Sequence, residues 1–199
     1  MRYYPLFVDL FEKICCVVGG GAVAERKVRV LLKCRARVIV YSPKLTAGLE
    51  KLSKAGKIVW RRSAPGKEFL RGVFLVVAAT NNRLINSRVS QTCRKKNILV
   101  NVVDVPGESN FIVPSFVENK GLVIAISTSG QAPCLAKKIR KDLTKNFLPR
   151  YSGILKELSS VRNRLKTSSC ALPQRKAMLN KFINSKFFRK AVSCGKKTG

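Results

Sequence analysis

Ile14-Cys15-Cys16-Val17-Val18-Gly19-Gly20-Gly21-Ala22-Val23-Ala24 is the stretch that decides the fold. An unbroken apolar run that stops at three glycines reads as a strand buried on both faces. From Ala22 to Lys33 the apolar positions Val23, Val28, Leu31 and Leu32 recur at helical spacing between charged residues. The junction is a GxGxxA pattern. Gly19 permits the tight turn, Gly21 lets backbone N–H groups approach a pyrophosphate, and small Ala24 lets helix and strand pack closely, so that the phosphates sit at the positive end of the helix. Such a pattern is weak alone, but here it follows a strand, opens a helix and begins a series of similar units.

Working outward, residues 37–41 form a second strand closed by Ser42-Pro43, residues 45–55 a helix ending at Gly56, and residues 58–60 a third, shorter strand. The most apolar stretch, 73–79, reads as a central strand; 84–96 is an amphipathic helix and 98–103 the next strand. Strands alternating with helices at this spacing predict an α/β fold, a Rossmann-like parallel sheet over residues 1–110. The rhythm then changes. Residues 111–117 and 122–127 read as an antiparallel hairpin joined by Glu118-Asn119-Lys120-Gly121. A loop feeds a helix over 134–147, with Pro133 at its first turn. This gives a small α+β segment over 111–148. Residues 149–199 form a basic helical domain, in which Leu155, Leu158, Val161 and Leu165, then Met178, Leu179, Phe182, Ile183 and Phe187, keep helical spacing. The last five residues are expected to fray.

Composition prunes the chemistry. The 199-residue chain has no histidine, which removes a Ser-His-Asp triad, a Cys-His dyad, His-ligated zinc and an imidazole base. Its seven cysteines are scattered and form no CxxC pair, so zinc, iron–sulfur and thioredoxin-type sites lack support; reduced thiols packed as small hydrophobes are expected. No apolar run is long enough for a membrane span, and Asp9 and Glu12 argue against a signal peptide, so a cytoplasmic protein is expected. The net charge is +30, and from Cys134 onward 18 basic residues face two acidic ones. Charge of this size attracts polyanions without choosing among nucleic acid, anionic surfaces and polycarboxylate substrates.

Three places carry candidate chemistry. The corner after the second strand, Tyr41-Ser42-Pro43-Lys44, lacks the acidic residue that grips the adenosine ribose in many dinucleotide sites; Ser42 could bond a ribose hydroxyl and Lys44 could favour a 2′-phosphate, so these residues leave NAD and NADP both open. Thr80-Asn81 ends the fourth strand, where a nicotinamide would lie. Asp104 follows the fifth strand and would face the ligand crevice at the carboxyl ends of the strands. Without histidine it is the leading candidate for proton transfer, against the plainer reading of a turn aspartate.

These residues together resemble the precorrin-2 dehydrogenase family, also the N-terminal module of sirohaem synthases. The resemblance is carried by Tyr4-Pro5-Leu6-Phe7, the run from Val18 to Lys27, Ala78-Ala79-Thr80-Asn81, Asn101-Val102-Val103-Asp104, Asn110-Phe111-Ile112-Val113-Pro114, Ile126-Ser127-Thr128-Ser129-Gly130 and Pro133-Cys134-Leu135-Ala136 with Ile139-Arg140, in family order. It implies an NAD-dependent oxidation of precorrin-2 to sirohydrochlorin, and a homodimer built through the hairpin and the helix after it. Some members also insert ferrous iron, which the resemblance leaves open. It implies the central catalytic role for Asp104, cofactor contacts at Ala22, Val23, Pro43 and Lys44, and a tetrapyrrole near Ser127, Thr128, Ser129 and Gly130. Substrate carboxylates would then meet Arg140 and its neighbours Lys137, Lys138 and Lys141.

Two departures stand out. The serine common before the loop's proline is Ala132, and no imidazole is available to assist Asp104 in metal insertion. The methyltransferase module of the fused enzymes is expected to be absent, leaving another protein to supply precorrin-2. The alternative from another class is an NAD(H)-sensing module with a nucleic-acid-binding basic tail. No recognised nucleic-acid motif and no aromatic platform interleaved with the tail favours it, so a nucleic-acid partner is not expected.

Overall fold

The computed structural model describes residues 2–66, 69–152, 154–167 and 171–185. The chain divides into two compact units, the first running through Val113 and the second starting at Pro114.

In the first unit, β1 (Ile14–Val18), β2 (Arg37–Tyr41), β3 (Ile58–Arg61), β4 (Val73–Ala78) and β5 (Leu99–Val102) form one sheet in the order β3-β2-β1-β4-β5. Every neighbouring pair is parallel. The strand order reverses at β1, so a crevice opens at the carboxyl ends of β1 and β4. Between the strands run α1 (Ala22–Lys33), α2 (Ala47–Lys54) and α3 (Arg83–Lys95). Alternate residues of β1 feed two cores, as a strand covered on both faces requires. Cys15 and Val17 pack with Val28, Leu31 and Leu49 under α1 and α2. Cys16 and Val18 pack with Val89 and Cys93 under α3.

Local signals set the helix starts. Thr46 accepts the Leu49 N–H at 3.3 Å and so caps α2, which begins at Ala47, two residues beyond the start its periodicity suggests. Asn82 accepts the Ile85 N–H at 3.1 Å and caps α3. Glu25 ties α1 to α2: its carboxylate accepts from the Thr46 hydroxyl and from Arg29. Those hydrogen bonds, the Thr46 one foremost, hold its carboxyl below the ordinary value of 4.5.

The second unit corrects the sequence reading twice. Its hairpin pairs β6 (Ser115–Asn119) with β7 (Leu122–Ile126), and Asn119 faces Leu122. The connection is therefore Lys120-Gly121 alone rather than four residues. Both have positive φ, 50° and 88°, the signature of the two-residue turn whose twist matches a hairpin. The first strand starts four residues later than expected because the backbone just before it is used elsewhere. Asn110 N–H donates to the Val100 carbonyl, the Phe111 carbonyl accepts from the Asn101 amide, and Pro114 has no N–H to offer.

The helix expected over 134–147 is α4 (Pro133–Asp142), followed without a break by a π-helical turn, Leu143–Phe147, and by α5 (Leu148–Ser152). Pro149 thus sits inside the first turn of α5 instead of ending the helix. The wide turn relieves the clash a proline ring causes in a regular helix, and the Leu148 N–H reaches back to the Leu143 carbonyl. Next come α6 (Ile154–Thr167) and α7 (Leu172–Ile183). The expectations for Phe187 and for residues 195–199 lie outside the described residues. Of the described cysteines, Cys15, Cys16 and Cys93 are buried and Cys34 and Cys134 exposed. No helix among the described residues is long and apolar enough to cross a membrane.

Leu49 is fully buried where α2 meets the sheet. Leu49→Ala is expected to lower the unfolding free energy by about 2–5 kcal/mol, read from urea denaturation. Glu25 stabilises the folded state above its unfolded pKa and loses that contribution as pH falls through its depressed folded value. Glu25→Gln should therefore flatten the fall of melting temperature with pH below 4.5.

Candidate functional site

The glycine turn is built by close backbone approach. Gly19 has φ of +126°, its N–H donates to the Tyr41 carbonyl at 2.9 Å, and a Cβ there would strike the Ala79 carbonyl. A Cβ on Gly20 would strike the Lys44 carbonyl and the Ser42 hydroxyl, and the Gly20 carbonyl accepts from the Thr46 N–H. Gly21 differs. It is the N-cap of α1, no side chain caps the helix, and nothing lies within 4 Å of the Cβ it lacks. The first-turn N–H groups, which have no partner inside a helix, open there onto an exposed face with Ala22. This cradle fits a dinucleotide pyrophosphate: donors, the positive helix end and space coincide.

At the second corner Ser42 is buried and its hydroxyl donates to the Lys44 carbonyl at 2.6 Å, while its own carbonyl accepts from Trp60 Nε1 at 2.9 Å. Ser42 therefore shapes the turn on which the exposed Pro43 and Lys44 stand. At the end of β4 Thr80 is fixed by Asn86 of α3. The Thr80 hydroxyl donates to Asn86 Oδ1 at 2.8 Å, and Asn86 Nδ2 donates to the Thr80 carbonyl at 2.9 Å. Asn81 beside it is exposed.

Asp104 lies two residues beyond β5, exposed, with φ of 60°, a left-handed conformation that aspartate tolerates better than most side chains. The loop behind it is fastened down. Ser109 Oγ accepts from the Val102 N–H at 2.9 Å, Asn110 Oδ1 from the Val100 N–H at 2.7 Å, and Asn110 Nδ2 donates to the Ile98 carbonyl. Arg94 of α3 donates to the Gly107 and Ser109 carbonyls, and the Ser90 hydroxyl to the Glu108 carbonyl. Lys27 of α1 is half-buried; desolvation and neighbouring Arg26 lower its pKa, and the Asp104 charge pulls it back up. Asp104 and Lys27 thus feel one another. Asn86, Ser109 and the Lys27–Asp104 relation were missed by the sequence reading: the first two fold back on residues six and seven positions earlier through loop geometry that no spacing signals, and the third joins distant elements.

In the second unit Ser127 Oγ accepts from the Ser129 N–H at 3.0 Å and Thr128 Oγ1 from the Ala132 N–H at 3.1 Å. Ser129 and Gly130 both have positive φ. The hydroxyls of Ser127 and Thr128 therefore hold the loop's own backbone. Ala132 is the N-cap of α4 and offers no side-chain cap. Arg140 is half-buried on the same helix, between exposed Lys137, Lys138 and Lys141. Among the described residues no group of three His, Cys, Asp or Glu side chains could hold a metal ion.

Residues 6–115 match the family described as "Putative NAD(P)-binding", and residues 119–146 the one described as "Sirohaem biosynthesis protein central". A siroheme synthase of Actinobacillus succinogenes is 37% identical over 188 residues, 94% of this chain and 39% of that protein. Siroheme synthase 1 of Aeromonas salmonicida is 37% identical over 198 residues, 99% of this chain and 42% of its own length. The chain thus spans about two-fifths of the curated relatives it matches. Among solved structures it is similar to SirC, a precorrin-2 dehydrogenase, with a TM-score of 0.81 and 26% identity over 98% of this chain and 100% of that one.

The two outer glycines of the turn separate folding from binding. Gly21→Ala meets no atom and is expected to change stability by no more than about 0.5 kcal/mol while weakening NAD binding at least about tenfold. Gly19→Ala should lose both. Calorimetric titration and thermal melts on the two variants check this.

Proposed function

The chain belongs to the NAD(P)-binding family of the siroheme-synthase module, and from that membership we propose that it oxidises precorrin-2 to sirohydrochlorin with NAD as cofactor. The observation that carries the reading is the uncapped glycine cradle and Asp104 lying at the same carboxyl edge of one sheet, on β1 and β5. The bound nicotinamide supplies a hydride acceptor. The oxidation removes two hydrogens, one as hydride and one as a proton, and the proton passes to a base of the chain and from it to solvent.

Gly19 sets the tight turn, its N–H spent on the Tyr41 carbonyl, and Gly21, Ala22 and Val23 would hold the pyrophosphate. Pro43 and Lys44 stand at the ribose, with Ser42 shaping their turn, and Thr80 and Asn81 border the nicotinamide. Asp104 takes the proton: no imidazole exists in the chain, and its loop is held by β5 and α3. The Asp104 charge acts on Lys27 of α1, opposing the burial that lowers that lysine's pKa. Ser127, Thr128, Ser129 and Gly130 present backbone to the tetrapyrrole, and Arg140 pairs with its carboxylates, aided by the lysines of α4. The assignment by segment is a cofactor domain over 1–110, a dimerisation and substrate-loop segment over 111–148, and a basic segment over 149–199 whose described part carries α5, α6 and α7. A second copy completes a homodimer in the cytoplasm. Ferrous iron enters, where it does, as the substrate of a later insertion into sirohydrochlorin, with Asp104 passing the two displaced pyrrole protons to solvent one at a time.

The test is anaerobic. Protein mixed with precorrin-2 should develop the sirohydrochlorin spectrum only when NAD is present, and no spectral change from NAD-binding protein would refute the reading. Asp104→Asn should lower turnover by about 10²–10⁴-fold while retaining NAD affinity. Adding ferrous iron to the same cuvette asks whether sirohaem follows.

A further inference from the structure

Asn86, Ser90 and Arg94 stand four residues apart along α3, so they share one face of the helix. Each grips something outside the helix. Asn86 holds Thr80 at the end of β4, accepting from the Thr80 hydroxyl at 2.8 Å and donating to the Thr80 carbonyl at 2.9 Å. The Ser90 hydroxyl donates to the Glu108 carbonyl. Arg94 Nη2 donates to the Gly107 carbonyl at 3.0 Å and to the Ser109 carbonyl at 3.1 Å. One helix face thus takes three successive carbonyls of the loop after β5, while its other end is tied to β4.

Asp104 lies inside a ring that these bonds close. Just before it, the Val103 N–H donates to the Ala78 carbonyl of β4 at 3.0 Å. Just after it, the Val105 N–H turns back to the Val102 carbonyl at 3.3 Å, and the short 3₁₀ turn Pro106–Glu108 leads to the carbonyls that α3 holds. The circuit therefore runs from Ala78 through Asp104 to α3, and through Asn86 back to Thr80, two residues beyond Ala78. β5 holds the loop at Ser109 and Asn110, whereas the carbonyls of Gly107 and Glu108 are held from α3. A left-handed aspartate, φ 60°, keeps its backbone only where the contacts on both sides over-determine it. We propose that Arg94 is a positioning residue for Asp104: through α3 it fixes that carboxylate's place relative to the Thr80 edge of β4, where the nicotinamide is assigned. The proposal rests on the assignment of the reaction's proton to Asp104. Charge-assisted bonds from one guanidinium to two carbonyls are strong enough to set a loop. Arg94 is itself exposed, so its removal leaves the core and the glycine cradle intact.

The experiment is anaerobic steady-state kinetics of the whole chain with precorrin-2 and NAD, each variant checked for folding by circular dichroism. Arg94→Ala is expected to lower kcat by about 10- to 100-fold with KM for NAD unchanged within about twofold, since a displaced base costs turnover and not cofactor binding. Arg94→Lys, whose ammonium can still donate to two carbonyls, should recover most of that loss. Lys95→Ala removes the same charge from the same last turn of α3 and should leave kcat unchanged. In an Asp104→Asn background, Arg94→Ala should cost nothing further, because it acts through that carboxylate. A loss below about tenfold in Arg94→Ala overturns the proposal. So does a loss that lysine fails to recover, an equal loss in Lys95→Ala, or an undiminished loss in the Asp104→Asn background. No turnover by the unaltered chain would instead overturn the reaction, and full turnover by Asp104→Asn the assignment of the proton.

Discussion

At the end of β1 the Gly19 backbone lies so close to the Ala79 carbonyl that no side chain fits between them. The ends of β2, β1 and β4 are fastened across that point, Gly19 N–H to the Tyr41 carbonyl and Ala79 N–H to the Val18 carbonyl. The geometry of the glycine cradle follows from this fork. It places the start of α1 over the reversal of strand order, and it lets the helix begin on a glycine with nothing over its first N–H groups. Polar backbone left bare at a helix start needs water or an anion as partner. The same closeness holds the second corner, because Gly20 seats Ser42 and Lys44.

The second unit uses its polar residues differently. Ser127 and Thr128, in the loop before α4, spend hydroxyl lone pairs on backbone N–H groups two and four residues ahead. They define the loop's shape, and Arg140 and the lysines of α4 place positive charge on the helix that follows it. The absent serine at Ala132 fits this division of labour: Thr128 receives the N–H of Ala132 itself, while the first turn of α4 stays uncapped by a side chain.

Much of this was legible in the sequence where the deciding forces are local. The apolar run 14–18, the glycines and the helical spacing to Lys33 gave β1 and α1 to the residue, because burial on both faces and a turn leave few alternatives. The hairpin was legible in kind but not in bounds. Nothing local tells that Asn110 and Phe111 complete the edge of β5, which delays β6 to Ser115. The π turn was illegible for a related reason: Pro149 looks like a terminator, and only the wider ring closed by Leu148 and Leu143 lets the helix pass it. Asp104 could be named from its place after a strand. Its electrostatic influence on Lys27 could not, since the two residues lie far apart in sequence, and Ser42 read as a free hydroxyl when packing had already engaged it.

The alternation of β1 also sorts its two thiols. Cys15 and Cys16 are chain neighbours, yet one is sealed beneath α1 and α2 and the other beneath α3. Burial raises their pKa values to about 11 and about 12, so neither supplies thiolate to a reagent while its layer stays shut. Adjacent atoms on one strand thus act as separate chemical clocks for the opening of opposite sides of the sheet. Exposed Cys34, at the far end of α1, keeps the time of the folded surface.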